Sequence, residues 1–221
     1  MIKVLFEDNH LLVVVKPPNW PVQLDRSGDH DLLNWCRKYI KTKYQKPGEA
    51  FVGLVHRLDR PVGGVIVFAR TSKAAARLSD QMRRHTMQRT YWAVVYGHPP
   101  ESATLHDTLI KESRTNTVQV VPPNTPGSQE AILHYRTLIR GQNLTLIEVS
   151  LETGRSHQIR VQFANIGYPL WGDARYGNGQ PGQQIALWCV AIMFVHPTKR
   201  EVLRFEALPP DIFPWNLEEN P

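Results

Sequence analysis

Cysteine is nearly absent: Cys36 and Cys189 are the only two in 221 residues. They stand too far apart in sequence to suggest a disulfide framework or a CxxC metal site. The apolar run LLVVV (11–15) is too short to cross a bilayer, and Glu7 and Asp8 ahead of it do not suit a secretory signal. A soluble cytoplasmic protein is therefore expected. GxxxxGK[ST], HExxH and GxSxG do not occur, which leaves phosphate-loop, zincin and serine-elbow chemistry without support. The nine histidines are scattered without ligand spacing, and Ser156 beside His157 does not set a base against a nucleophile as a triad requires. Neither a metal nor an organic cofactor is implied. Internal repeats and low-complexity tracts are missing as well.

What is present is ordinary in proportion, with 42% hydrophobic and 21% charged residues, so a globular chain of one large or two small domains is expected. Seventeen prolines fall mostly in connectors and suit a loop-rich fold. The formal charge of +6 is compatible with a polyanionic partner but is weak evidence alone.

HLLVVVKPP (10–18) reads as a buried strand stopped by prolines. DLLNWCRKYIKTKYQ (31–45) reads as a helix on Leu32, Trp35 and Tyr39. Strands are expected at 51–55 and 65–69. A helix follows over 71–85, capped by Ser72 and burying Ala75, Leu78 and Met82. TYWAVVYG (90–97) is a strand, 98–130 an irregular hairpin region with its clearest loop at 121–128, and 131–151 a β-hairpin turning at Gly141-Gln142. RSHQIRVQFANIG (155–167) switches to a helical period with Ile159, Phe163 and Ile166 on one face. Two late strands, at 185–197 and 199–207, complete an α+β fold with a mixed, mostly antiparallel sheet.

Three stretches carry candidate chemistry. HRLDRPVGG (56–64) sets Asp59 on a bend between two apolar runs. An Asp before a Pro-Gly bend is often only a turn residue, but His56, Arg57 and Arg60 are more than a turn requires, so a displayed carboxylate stands as an equal reading. LETGRSHQIR (151–160) opens a helix with Arg155 and Arg160. They read either as a solvated helix start or as partners of an anion; since cations are disfavoured at a helix N-terminus, the second reading, with Asp59 or RNA phosphate as the anion, is the stronger. QRTYWAVVYG (88–97) presents Tyr91, by itself an ordinary strand tyrosine or a surface for a planar ligand.

In this order the stretches resemble the RluA-type family of pseudouridine synthases. That family carries HRLDxxTSG, then (K/R)xYxAxVxG, then TGRxHQIR followed by G(Y/H)P(L/I)xGDxxYG. Here they stand as HRLDRPVGG, RTYWAVVYG and LETGRSHQIRVQFANIGYPLWGDARYG, behind an opening FEDNHLLVVVKPPNWPV that is similar to the family's first segment. The likeness runs from near residue 4 to about 206. It implies the pseudouridine-synthase α+β catalytic fold with a central cleft and flanking helices, in a single domain without a separate N-terminal RNA-binding domain.

The activity implied is isomerisation of specific uridines in ribosomal or transfer RNA to pseudouridine, with no cofactor, by a monomer. Asp59 matches the catalytic aspartate, Tyr91 the active-site tyrosine and Arg160 the arginine that pairs with the aspartate. Arg57 matches a position that arranges flipped RNA, and Leu187, more loosely, an apolar residue against the target ring. Phosphate contacts fall to Arg83, Arg84, Arg89 and Arg155 and to the Lys38–Lys46 cluster, which reads equally as a solvated basic face. Val62-Gly63-Gly64 stands where relatives carry TSG, and Trp188 where many carry His. The rivals are a silent RNA-binding or RNA-chaperone relative and a glycoside hydrolase. A hydrolase normally needs two facing carboxylates, and the only other candidate, Asp173, reads better as structural.

Overall fold

A computed structural model of the chain describes residues 2–25, 27–180 and 182–217. Residues up to Gln88 with Cys189–Leu208 make one compact unit, and Arg89–Trp188 with the segment from Pro209 make a second. In the first unit, β1 (Lys3–Glu7) pairs antiparallel with β2 (Leu11–Lys16). Helix α1 (Leu32–Lys43), the two-residue β3 (Gly53–Leu54), β4 (Gly63–Ala69) and α2 (Ser72–Arg83) follow.

β2 and β4 pair in register, Leu12 opposite Phe68 and Val14 opposite Ile66. Their alternate residues Leu11, Val13, Val65, Val67 and Ala69 form one core with Ala74 and Leu78 of α2. The intervening Leu12, Val14, Ile66 and Phe68 are buried too, so both strands read as unbroken apolar runs rather than alternations. Each such side chain contributes about 1.5–3 kcal/mol of burial.

Both helices differ in detail from the periodicity. α1 is capped by Asp31, which accepts the Asn34 N–H, and it buries Leu32, Cys36 and Ile40. Trp35 and Tyr39 instead stack on each other, with ring centroids 5.3 Å apart and planes 11° apart, so each covers its neighbour beside the buried stripe. In α2 the cap is Thr71, whose hydroxyl accepts the Ala74 N–H, and Ser72 is already helical. The buried face is Ala74 and Leu78, with Ala75 and Met82 half-covered. The strand expected over 51–55 shrinks to Gly53–Leu54.

The second unit contains β5 (Gln88–Tyr96), β6 (Ser102–Glu112), β7 (Thr117–Val121), β8 (Gln129–Arg140), β9 (Leu144–Leu151) and helix α3 (Gln158–Asn165). Its strands lie in the order β5-β9-β8-β6-β7 with antiparallel pairing throughout. The hairpin over 131–151 and the loop at 121–128 are where the sequence puts them. The irregular region expected at 98–130 is instead largely regular, because β6 is held on both sides, by β7 and by β8. Pairing on both edges overrides the weak strand preference of its Asp, Lys and Glu.

α3 is buried on successive residues from Gln158 to Phe163, not on one stripe. Val161 packs with Leu109, Val118 and Ala131, and Phe163 meets Tyr135 edge-on at 5.0 Å. Ile166, expected on its inner face, is the half-buried C-cap.

β10 (Leu187–Val195) carries the chain back into the first unit, where it neighbours β4 and pairs antiparallel with β11 (Val202–Glu206). The fourteen elements of the described residues, mostly strands, bear out the α+β expectation. The approach of β10 to β4 fixes one glycine. Gly64 has φ 120°, and a Cβ there would lie 2.3 Å from the Cys189 carbonyl oxygen. Gly28 also has positive φ (75°) but meets nothing within 4 Å. Gly64→Ala is expected to cost about 3 kcal/mol in urea unfolding, and Gly28→Ala about 1 kcal/mol. Equal costs would show that β10 simply gives way.

Candidate active site

Asp59 sits on the connection from β3 to β4. The Val62 N–H donates to the Asp59 carbonyl at 3.0 Å and closes the turn. Leu58 and Val62, both buried, anchor its two sides, while Asp59 is half-buried and Arg57 exposed. The flanking charges divide their tasks. His56 is buried and its Nε2 accepts the Val67 N–H at 3.3 Å, tying the turn to β4. Arg60 reaches outward to Asp25 at 3.2 Å, to the Ser27 hydroxyl at 2.9 Å and to Asp29.

Beneath the turn lies Lys16, the last residue of β2, with no exposed surface. Its Nζ donates to the carbonyls of Pro17 at 3.0 Å, Trp20 at 2.7 Å and Arg60 at 2.9 Å. One ammonium thus satisfies three acceptors and pins residue 60, adjacent to Asp59. Burial pulls the Lys16 ammonium down to about 7, the Asp59 carboxylate acts to raise it, and Arg60 lowers it.

In the second unit, TGRSHQIR folds into a loop that Gln158 holds together. The Gln158 Oε1 accepts from the Thr153 hydroxyl at 2.8 Å and from the Arg155 N–H at 2.9 Å, while its Nε2 donates to the Ile132 carbonyl at 3.1 Å. The helix begins only at Gln158, after His157 in the left-handed region at φ 52°. Arg155 therefore precedes the helix, and its Nε donates to the Glu130 carbonyl at 2.8 Å.

Arg160, inside the first turn of α3, forks onto Asp173: its Nε and Nη2 each donate to a carboxylate oxygen at 2.8 Å. This pair is nearly sealed, with side-chain exposures of 8% and 0%. Burial acts to raise the Asp173 carboxyl, but the Arg160 hydrogen bonds and charge, with the Arg175 and Tyr176 N–H groups, outweigh it and hold the carboxyl below the usual range. The Tyr176 ring lies 5.2 Å from the Arg160 guanidinium. Its hydroxyl accepts the Val118 N–H at 2.9 Å, which leaves its proton for His157 Nδ1 at 2.6 Å. GDARYG thus holds TGRSHQIR at two points.

Tyr91 is buried in β5 opposite Val149 of β9, and Arg89 shares its face of the strand two residues earlier. Leu187, at the start of β10, is also buried. Arg83 and Arg84, at the exposed end of α2, both pair with Asp80, Arg84 at 3.6 Å. Asp59, Arg57, Arg83 and Arg84 belong to the first unit, and Arg89, Tyr91, Arg155, Arg160 and Leu187 to the second. The structural role expected of Asp173 is borne out by its fork to Arg160, whereas Lys16 and Gln158 carry roles that the sequence does not single out. A lysine ending an apolar run just before two prolines was the available signal for Lys16. Among the described residues no group of His, Cys, Asp and Glu is arranged to hold a metal ion, and burial pushes the Cys36 thiol up to about 12.

Residues 10–165 match the family described as RNA pseudouridylate synthase. The chain is 36% identical over 211 residues to the Bacillus subtilis "Uncharacterized RNA pseudouridine synthase YhcT", covering 93% of this chain and 68% of that one. It is 34% identical over 225 residues to the Zymomonas mobilis "Ribosomal large subunit pseudouridine synthase D", covering 96% and 70%. The chain thus spans about two-thirds of the length of these relatives. Among solved structures, "Human RNA Pseudouridylate Synthase Domain Containing 4" superposes with a TM-score of 0.80 at 20% identity, over 95% of this chain and 89% of that one, a likeness of fold. No helix among the described residues is long and apolar enough to cross a membrane.

Two outcomes follow from the buried cations. The folded value of Lys16, about 7, lies below its ordinary 10.5. Between those values the unfolded chain binds the extra proton, so stability contributed by this group rises with pH across that window. Urea unfolding of the parent should gain on the order of 1–3 kcal/mol over Lys16→Met between about pH 7 and about pH 9. Asp173→Asn removes the carboxylate that takes the two-point fork of Arg160 and should cost about 3–5 kcal/mol in the same assay.

Proposed function

The chain belongs to the RNA pseudouridylate synthase family, and on that premise we propose that it isomerises specific uridines of ribosomal or transfer RNA to pseudouridine with Asp59 as nucleophile. The observation that carries the assignment is the Asp59 turn. It is a half-buried carboxylate on a backbone-closed bend, above a lysine whose three donors are spent on carbonyls. The name of the Zymomonas relative favours ribosomal RNA as the substrate.

The reaction breaks the N1–C1′ bond, turns the uracil and joins C5 to C1′. The C5 proton leaves to solvent and N1 is protonated, so there is no net hydrolysis and no redox change. A single carboxylate suffices, either by forming a covalent adduct or by assisting departure of the base. A uridine within folded RNA must leave its stack to reach such a residue. In this reading Tyr91 holds the extruded ring, a contact worth about 1–3 kcal/mol, Arg160 supplies the fixed positive charge of the site, and Leu187 offers apolar surface to the base. Arg57 serves the displaced RNA, and Arg83, Arg84, Arg89 and Arg155 its phosphates, so binding weakens with salt.

Release of tritium from [5-³H]uridine in large-subunit ribosomal RNA is the direct test. The parent should release label and Asp59→Asn should fall by at least about a thousandfold. An Asn variant as fast as the parent would refute the nucleophile. RNA binding without release would favour the silent relative, and free uracil as product a hydrolase.

A further inference from the structure

Arg89 is 8% exposed, and its Nε is sealed from solvent with no hydrogen-bond partner among the described residues. None of the ion pairs of the described residues includes it, although Arg160, in the same unit, is answered by Asp173. The site is shaped around it. A Cβ on Gly154 would lie 2.8 Å from Arg89 Nη2 and 2.9 Å from Nη1, so the TGR loop packs directly against the guanidinium and a side chain there would displace it. Gly154 itself is exposed. That loop is fixed from behind by Gln158, through Thr153 and the Arg155 N–H.

An arginine buried without an acceptor is costly to a fold. Here the cation is held on a strand under a braced loop, two residues from Tyr91 on the same strand face. A planar fork of donors is matched best by a tetrahedral or carboxylate anion that arrives from outside. We propose that Arg89 and the Gly154 loop form an anion socket that takes one backbone phosphate of the RNA, beside the uridine that Tyr91 receives. The socket deepens the reading of RNA as substrate and rests on it. Arg83 and Arg84 already have Asp80 as their counter-charge; Arg89 has its counter-charge to gain from the ligand.

The proposal separates stability from binding, which a structural role for Arg89 would not do. Arg89→Met removes a buried, unanswered cation at similar volume, so its Tm should equal or exceed that of the parent. Its affinity for in vitro transcribed large-subunit ribosomal RNA should fall about tenfold, and the salt slope of binding should drop by about one contact, 0.7–0.9. Arg89→Lys should keep the slope while losing part of the affinity, because a point charge cannot fork. Gly154→Ala should weaken RNA binding in the parent and do nothing further in Arg89→Met.

A lowered Tm with an unchanged salt slope would overturn the socket and make Arg89 a structural residue. A parent that releases tritium while Arg89→Met binds and reacts like it would sink the socket but leave the synthase reading intact. A parent that binds RNA without releasing tritium, with Arg89→Met losing one unit of slope, would keep the socket and refute the synthase reading.

Discussion

A guanidinium with 8% of its side chain exposed is costly to keep in a fold, and the carboxylate that offsets this cost for Arg160 organises much of the second unit. Asp173 answers the guanidinium with a two-point fork. Asp173 must in turn be presented from a loop stiff enough to hold that geometry. It is so presented because its own carboxylate caps the next residues, accepting the N–H groups of Arg175 at 3.0 Å and Tyr176 at 3.2 Å. The same loop delivers the Tyr176 ring to the guanidinium and its hydroxyl to His157. Two stretches that look like separate motifs are therefore one object. A lysine in place of Arg160 would bring the charge without the planar fork, and the loop would lose one of the two contacts that set it.

The first unit solves a parallel problem with carbonyls instead of a carboxylate. Lys16 spends its donors on Pro17, Trp20 and Arg60, so a segment too rich in proline to form a ladder is still tied to the turn that carries Asp59. This changes what the net charge of +6 means. Lys16 and Arg160 are interior braces, Arg70 is buried against Glu7, and Arg60, Arg83 and Arg84 face acidic neighbours. The remaining excess lies on exposed side chains such as Lys3, Lys38, Lys46, Lys73, Lys111 and Arg57. An RNA partner would meet both this exposed basic surface and the cations that the fold places, Arg89 among them.

How much of this the residues disclosed depends on how local the cause was. β2 and β4 were legible because an apolar run bounded by turn residues has few other uses, and α1 and α2 because each has a helical period, even though the buried stripe and the α2 cap fall one position from where that period puts them. β6 and β7 were not, because their pairing is non-local. Nothing within residues 102–121 says that β8 will arrive to hold the other edge of β6. The same limit hid the inner stripe of α1, where the larger aromatics outweighed Cys36 and Ile40 until their stacking took them aside. The dipole argument at α3 correctly demanded an anion for Arg160, but Asp173, thirteen positions on, had not been weighed as that anion. Side chains that bind backbone, such as Gln158 and Lys16, leave almost no pattern in a sequence, since any of several neighbouring carbonyls would read the same.

The replacement of TSG by Val62-Gly63-Gly64 can be judged on this footing. If hydroxyls closed the turn beneath Asp59, their loss would loosen it. In this chain the closing bond is main chain to main chain, Val62 N–H to Asp59 carbonyl, and the support from below is the Lys16 ammonium on the Arg60 carbonyl. The Val62 side chain is 2% exposed, so an apolar residue there is buried rather than left facing water. The strict demand falls on Gly64, where φ 120° and the Cys189 carbonyl together exclude any Cβ, and that position is unchanged from the family pattern. The departure therefore removes hydroxyls without touching the contacts that hold the bend. Whatever it alters must lie in what the turn offers to the RNA, not in whether Asp59 is displayed.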